Sequence, residues 1–261
     1  PREIRTTWPG RDAASNEIRF LMDASGSSLF LIDLATGKYF RVAFTELEQE
    51  LFNQFESEFG ITINDRELLS ELFGVVLLAP DHPRAILNMV NDNTAAQNWT
   101  DKNKHRSGRV DQILSVIGLF ELTLKLTVWG SRVNTDERFA DTGTRLEKRS
   151  QDFVKGLHEL EQEHGWKAME LCVEAWVRDM GWNMLDSPKE DGSWYGYAER
   201  ALQSVEQRFP GLMEKCCEVP IELILEQLRE AYRGEPIRGE WLADGDFPEQ
   251  GKSAQREELT S

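Results

Sequence analysis

Cysteine is scarce in this chain: three in 261 residues, two of them adjacent at Cys216 and Cys217. Three thiols cannot all pair, and neighbours rarely bridge to each other, so a disulfide-stapled secreted scaffold is excluded and a reducing compartment is expected. Cys172 reads as a small helix-face residue, and the cysteine spacing matches no zinc site. Histidine is rarer than most catalytic schemes need, with four in all. No Gly-x-Ser-x-Gly elbow and no Cys–His arrangement supports nucleophilic catalysis. Asp33-Leu34-Ala35-Thr36-Gly37-Lys38 ends in Gly-Lys but lacks the earlier glycine and the following Ser/Thr of a phosphate-binding loop. Long apolar runs are absent too. The best, near 113–129, is broken by Ser115, Glu121 and Lys125 and falls short of the roughly 20 residues a membrane span requires. The segment Pro1-Arg2-Glu3-Ile4-Arg5 has none of a signal peptide's apolar character, so a cytoplasmic protein without a membrane partner is expected.

Positive charge is also in short supply. Thirty Lys and Arg face 46 Asp and Glu, a formal net charge of −16 spread along the chain. Repulsion at that level disfavours sequence-independent binding to phosphate backbones. The only basic cluster is Lys102, Lys104, His105, Arg106 and Arg109, so nucleic-acid contact is expected through that segment or not at all. Asn98-Trp99-Thr100, a formal glycosylation sequon, is accidental under this reading.

What is present is a change of period. Ile18, Phe20 and Met22 alternate with Arg19, Leu21 and Asp23; Ala24-Ser25-Gly26-Ser27 supplies a turn; Leu29–Ile32 and Tyr39–Phe44 follow as strands, giving a three-stranded antiparallel meander. Thr45 with Glu48 forms a capping box before Leu47, Leu51, Phe52, Phe55 and Phe59 at helical spacing. Gly60 ends that helix, and Asn64 or Asp65 caps the next, with Leu68, Leu69, Leu72 and Phe73. Val75–Leu78 reads as a strand and Arg84–Val90 as a short helix. From Arg109 to Arg233 the pattern is helical: one helix through Val128, another over 136–164 with a kink at Thr142-Gly143-Thr144, and others starting near Trp166, Tyr197 and Pro220. The fold expected is α+β, with a small N-terminal antiparallel sheet with helices followed by a larger all-α helical bundle. The domains are an arm at 1–17, an α+β domain at 18–90, a polar and basic linker at 91–109, the bundle at 110–233 and a polar tail at 234–261.

Three constellations invite a function. His158 and His164 are six residues apart, roughly 600° of helical rotation, and point about 120° away from each other, so they do not make a helical metal pair. A metal-dependent hydrolase or nuclease would instead draw on Glu159, Glu163 and Glu170 from adjoining helices, although the expectation is no metal and no cofactor. Glu218, Glu222, Glu226 and Glu230 recur every four residues and share one face, which suits either a basic partner or solvent. Trp8, Trp99, Trp194, Trp241 and Phe247 all fall in non-periodic segments, where aromatics either pin loops to the core or anchor a partner.

Residues 18–79, with Leu31-Ile32-Asp33 and Gly37-Lys38-Tyr39-Phe40 between short turns and then helices, resemble the PqqD-like peptide-recognition domain over less than a quarter of the chain. That resemblance implies a sheet-and-helix cleft holding a peptide as an added strand, here along the edge at 39–44. Together the observations lead to an expected non-catalytic interaction or assembly subunit of a prokaryotic or phage complex, with other protein subunits as partners. The alternatives are the metal-dependent enzyme and an acidic regulator that sequesters a basic partner.

Overall fold

The computed structural model describes residues 17–58, 62–91, 108–132, 139–145, 150–186, 194–216, 220, 222, 223 and 226. Its centre is one six-stranded sheet, in the order β5-β4-β1-β2-β3-β6. The strands are β1 Glu17–Ala24, β2 Ser28–Asp33, β3 Lys38–Ala43, β4 Ile86–Asn91, β5 Thr127–Arg132 and β6 Met169–Glu170. β2 is antiparallel to β1 and β3, whereas β4 pairs parallel with β1, β5 with β4, and β6 with β3. Five strands therefore run one way, and their carboxyl ends gather along one edge. β2, Ser-Leu-Phe-Leu-Ile-Asp, is buried throughout, as a strand covered on both faces must be.

Alternation sorts the side chains into two layers. Phe20, Met22, Leu29, Leu31, Phe40 and Val42 enter the large core with helices α1 Glu46–Glu58, α2 Ile63–Leu77, α3 Gly108–Leu124, α6 Ala175–Asp186, α7 Trp194–Arg208 and α8 Leu212–Cys216. Phe30, Ile32 and Tyr39 face the opposite way, onto α4 Phe139–Thr144 and α5 Ser150–His164. The protein is thus α+β, with helices on both faces of a mixed sheet. Its large core draws on residues from Phe20 to Met213, on both sides of the 91–109 segment.

The capping box at Thr45 forms as the spacing predicts: Glu48 accepts from the Thr45 N–H at 2.5 Å, and Thr45 Oγ1 accepts from the Glu48 N–H at 3.2 Å. The following N-cap is Thr62 rather than Asn64 or Asp65, with the Asp65 carboxylate accepting from the Thr62 N–H at 2.6 Å and hydroxyl at 2.9 Å.

Several expectations are corrected. Val75–Leu77 complete α2 instead of forming a strand, because that turn is buried on every side and its apolar run carries no periodic signal. The helix expected over Arg84–Val90 is β4. Arg84 takes a left-handed φ of 64°, which interrupts helix, and Leu87 and Met89 alternate into the core. The helix expected through Val128 stops at Leu124. Lys125 adopts φ 51° and the Leu126 N–H returns to the Glu121 carbonyl at 3.1 Å, a Schellman closure. Thr127-Val128-Trp129, β-branched and aromatic, then continue as β5. The region 110–233 is therefore not all helical, since it contributes β5 and β6 to the sheet. The long helix over 136–164 is two helices, α4 and α5, and the residues after Gly165 run extended through β6 before α6 begins. Gly165, at φ 75°, is the break.

Candidate functional site

In open sheets of parallel strands, ligands lie outside the carboxyl ends, where adjacent connections leave in opposite directions. Here that place is between β1 and β4. β1 turns through Ser25–Ser27 into β2 on one side, and β4, its parallel neighbour, leads towards α3 and β5 on the other. The register Leu21↔Val90 sets the end of β4 beside the end of β1.

Asp23 is the penultimate residue of β1 and is half-buried. The turn behind it is held by Ser25 Oγ, which accepts from the N–H groups of Ser27 at 3.1 Å and Ser28 at 3.0 Å. Across the edge, the Thr144 hydroxyl lies 2.8 Å from Asp23 Oδ2 and 3.1 Å from the Asp141 carbonyl. The Asp141 carboxylate stands one helical turn before Thr144, half-buried, 2.7 Å from Arg145 Nη2. On the opposite face the first turns of α2 approach the same edge: an Arg66 guanidinium nitrogen is 3.8 Å from where a β-carbon on Gly26 would sit. Arg66 also lies over the Phe52 ring, at 4.5 Å. Asp65, Arg66, Glu67 and Glu71 are all buried in the first nine residues of this one helix. Charged side chains are rarely buried unless engaged, and Arg66, Glu67 and Glu71 each have a partner.

Thr144 thus links the Asp23 carboxylate to the backbone of α4, whose Asp141 carboxylate is engaged by Arg145; half-buried aspartates of this kind are the donor type a hard divalent cation takes. Mg²⁺ is commonly held by one or two carboxylates, with water and substrate phosphate completing its octahedron. Among the described residues no three His, Cys, Asp or Glu side chains converge on one point. A closed, all-protein cage is therefore not what these residues form.

The amino-terminal edge carries a second polar assembly. Asp33, fully buried, sits 2.6 Å from His82 Nε2 and accepts from Thr36 Oγ1 at 2.6 Å and from the Ala35 N–H at 2.8 Å. Lys38 and Asp81 pair alongside at 2.7 Å. Burial pushes the Asp33 carboxyl up, but the hydrogen bonds from His82 and Thr36, the His82 charge and the Ala35 amide outweigh it and hold it below the ordinary value. All three donors bind the same carboxylate and tie the β2–β3 turn to the segment entering β4, so this assembly reads as a structural clasp.

The residues singled out from sequence are dispersed. Glu159 and Glu163 lie on the exposed side of α5, while Glu170 in β6 accepts from the Tyr39 hydroxyl at 3.2 Å. Glu222 and Glu226 are exposed, whereas Glu218 and Glu230 lie outside the described residues. Trp194 is the first residue of α7 rather than part of a loop, and Arg109 falls in the first turn of α3. Trp8, Trp99, Trp241, Phe247, Lys102, Lys104 and Arg106 lie outside the described residues. The edge at 39–44 offered to a peptide is already paired by β6 over Lys38 and Tyr39. Asp23 and Asp141 carry no signal in the sequence as site residues, apart from an acid ending an alternating strand just before Ala24-Ser25-Gly26.

Comparison with known proteins finds no matching family model, no matching curated protein and no matching solved structure.

Proposed function

We propose that the chain is a metal-dependent hydrolase of phosphodiesters whose centre is the carboxyl edge of the sheet, with Asp23 and Asp141 as the metal-binding carboxylates. The observation that supports it is the Thr144 hydroxyl, three residues after Asp141 on α4, donating to Asp23 Oδ2, which brings the helix carrying Asp141 to the end of a strand whose parallel neighbour leads the other way. A molecule with net charge −16 needs a cation to hold an anionic substrate. A divalent ion there would polarise the phosphoryl group and lower the pKa of a bound water. Asp23 and Asp141 would hold that ion, and the chemistry it would supply is a nucleophilic water for a phosphorus–oxygen bond whose leaving oxygen would take its proton from solvent. The segment with Lys102, Lys104 and Arg106 connects the end of β4 to the start of α3, and supplies the one basic stretch suited to a nucleic-acid backbone.

The test is Mn²⁺ binding by electron paramagnetic resonance, with cleavage of end-labelled single- and double-stranded oligonucleotides in Mg²⁺ or Mn²⁺. Asp23→Asn and Asp141→Asn are each expected to reduce cleavage by about 100-fold or more, the loss of several kcal/mol of metal-borne stabilisation. A wild-type chain that neither binds Mn²⁺ nor cleaves would sink the reading.

A second reading, an interaction or assembly subunit, is favoured by large apolar side chains left in solvent: Leu47 at 64%, Val154 at 51% and Met169 at 47% exposure. Here the acidic surface would act with them to select a basic partner. Native mass spectrometry of the protein from its own cells checks this, and a bare monomer there counts against it.

A further inference from the structure

We infer that Arg41 and Gly143 are positioning residues: together they seat α4 on the sheet and so set its Thr144 hydroxyl against Asp23. The inference rests on the metal-site reading for its consequence, but its geometric part stands alone. α4 has six residues, too few to persist in water as an isolated helix. Its place must come from what it touches, and the contacts are specific.

Gly143 lies flat against the sheet. A β-carbon there would come within 2.4, 2.5 and 2.7 Å of three atoms of the Phe30 ring. Phe30 cannot withdraw, because it is fully buried and meets Phe139 and Phe153 edge-on at 5.6 and 5.7 Å. Glycine at 143 therefore fixes how closely the last turn of α4 approaches β2. The exposed carbonyls of that turn are then met from the strands. Arg41 Nε donates to the Gly143 carbonyl at 3.1 Å, and the Ser28 hydroxyl donates to the Thr144 carbonyl. These are C-terminal caps supplied by neighbouring strands. The Arg41 guanidinium is held by its own packing, 4.4 Å above the Phe153 ring. One cation on β3 thus joins the end of α4 to the aromatic layer of α5. Thr144, whose hydroxyl donates to the Asp23 carboxylate, is the residue that this cap and this close approach bring to its place.

The experiment uses the full chain and the variants Arg41→Gln, Arg41→Lys, Gly143→Ala and Asp23→Asn. Amide hydrogen exchange over residues 139–145 and Mn²⁺ affinity are both measured at a temperature where far-ultraviolet circular dichroism shows every variant folded. Arg41→Gln and Gly143→Ala are expected to speed exchange in α4 and to weaken Mn²⁺ by roughly 10-fold or more, as loss of groups orienting metal ligands does. Arg41→Lys, which keeps a donor and the charge, should recover part of both. Unchanged exchange in Arg41→Gln and Gly143→Ala overturns the seating role whatever the metal does. Faster exchange with unchanged Mn²⁺ affinity, while Asp23→Asn abolishes binding, overturns its link to the site. If the wild type binds no Mn²⁺, the proposed function falls, and the exchange data still decide whether these two residues seat α4.

Discussion

Asp33 and His82 stand 2.6 Å apart at the amino-terminal edge of the sheet, joining two segments 49 residues apart in sequence. The aspartate is wholly buried, so removing His82 leaves a buried charge with only the Thr36 hydroxyl and the Ala35 amide to satisfy it. His82→Ala is expected to cost about 2–4 kcal/mol, read from urea unfolding midpoints. Because the folded carboxyl is held below its ordinary value of 3.8, the clasp contributes fully above that pH and is lost as acid protonates the folded group. The variant should therefore lose stability relative to wild type at neutral pH, with the gap narrowing below pH 3.8.

Glu48 gives a wider acid window. Burial pushes this carboxyl up, but donors from Arg178, Trp182 and the Thr45 backbone and hydroxyl overcome it and hold it at about 2, against an ordinary 4.5. Arg178 Nε reaches it at 2.9 Å, and Arg178 Nη2 also caps the Ala43 carbonyl at 2.6 Å, so α1, α6 and the end of β3 meet at one guanidinium. The sign follows: stabilisation is present above pH 4.5 and declines as the pH falls towards about 2. Glu48→Gln is expected to cost on the order of 2 kcal/mol at pH 7 and to flatten the decline below pH 4.5 seen in acid titration of the wild type.

Gly37 is irreplaceable on two counts. Its φ of 73° suits only glycine well, and a β-carbon would sit 2.4 Å from the Trp166 ring. Trp166 in turn donates to the Leu34 carbonyl at 2.9 Å and brings the chain to β6. Gly37→Ala should cost about 1–3 kcal/mol, the range for overpacking combined with backbone strain. Differential scanning calorimetry would show it, with tryptophan fluorescence reporting displacement of Trp166.

If the basic segment meets a nucleic-acid backbone, cleavage or binding should weaken with salt. Replacing Lys102, Lys104 and Arg106 together by Gln should lower the slope of log affinity against log salt by about 2–3. An unchanged slope in fluorescence anisotropy would remove that segment from substrate binding.

Sequence patterning reached the meander correctly because β1 to β3 are local: short turns and alternation set their pairing without help from elsewhere. Thr45 and Glu48 were legible for the same reason, since a capping box is complete within four residues. β4 and β5 were not. Ile86–Asn91 is too short for period to separate strand from helix, and both strands pair with residues distant in sequence. The stop at Leu124 depends on Lys125, a residue type that announces no left-handed turn.

The candidate site was hidden by the same cause. Asp23 and Asp141 lie far apart in sequence and form no motif. They share an edge only because five strands run parallel and because Gly143 lets a six-residue helix lie against Phe30. By itself the sequence determined the β1–β3 meander, the capping of α1, the charge of −16 and the lack of a long apolar span, all of which follow from local pattern or from composition. Only the tertiary structure decided that residues on both sides of 91–109 share one sheet. It also decided which of 46 acids lie together at that sheet's carboxyl edge, because parallel pairing and helix docking are long-range choices settled by burial of the whole core.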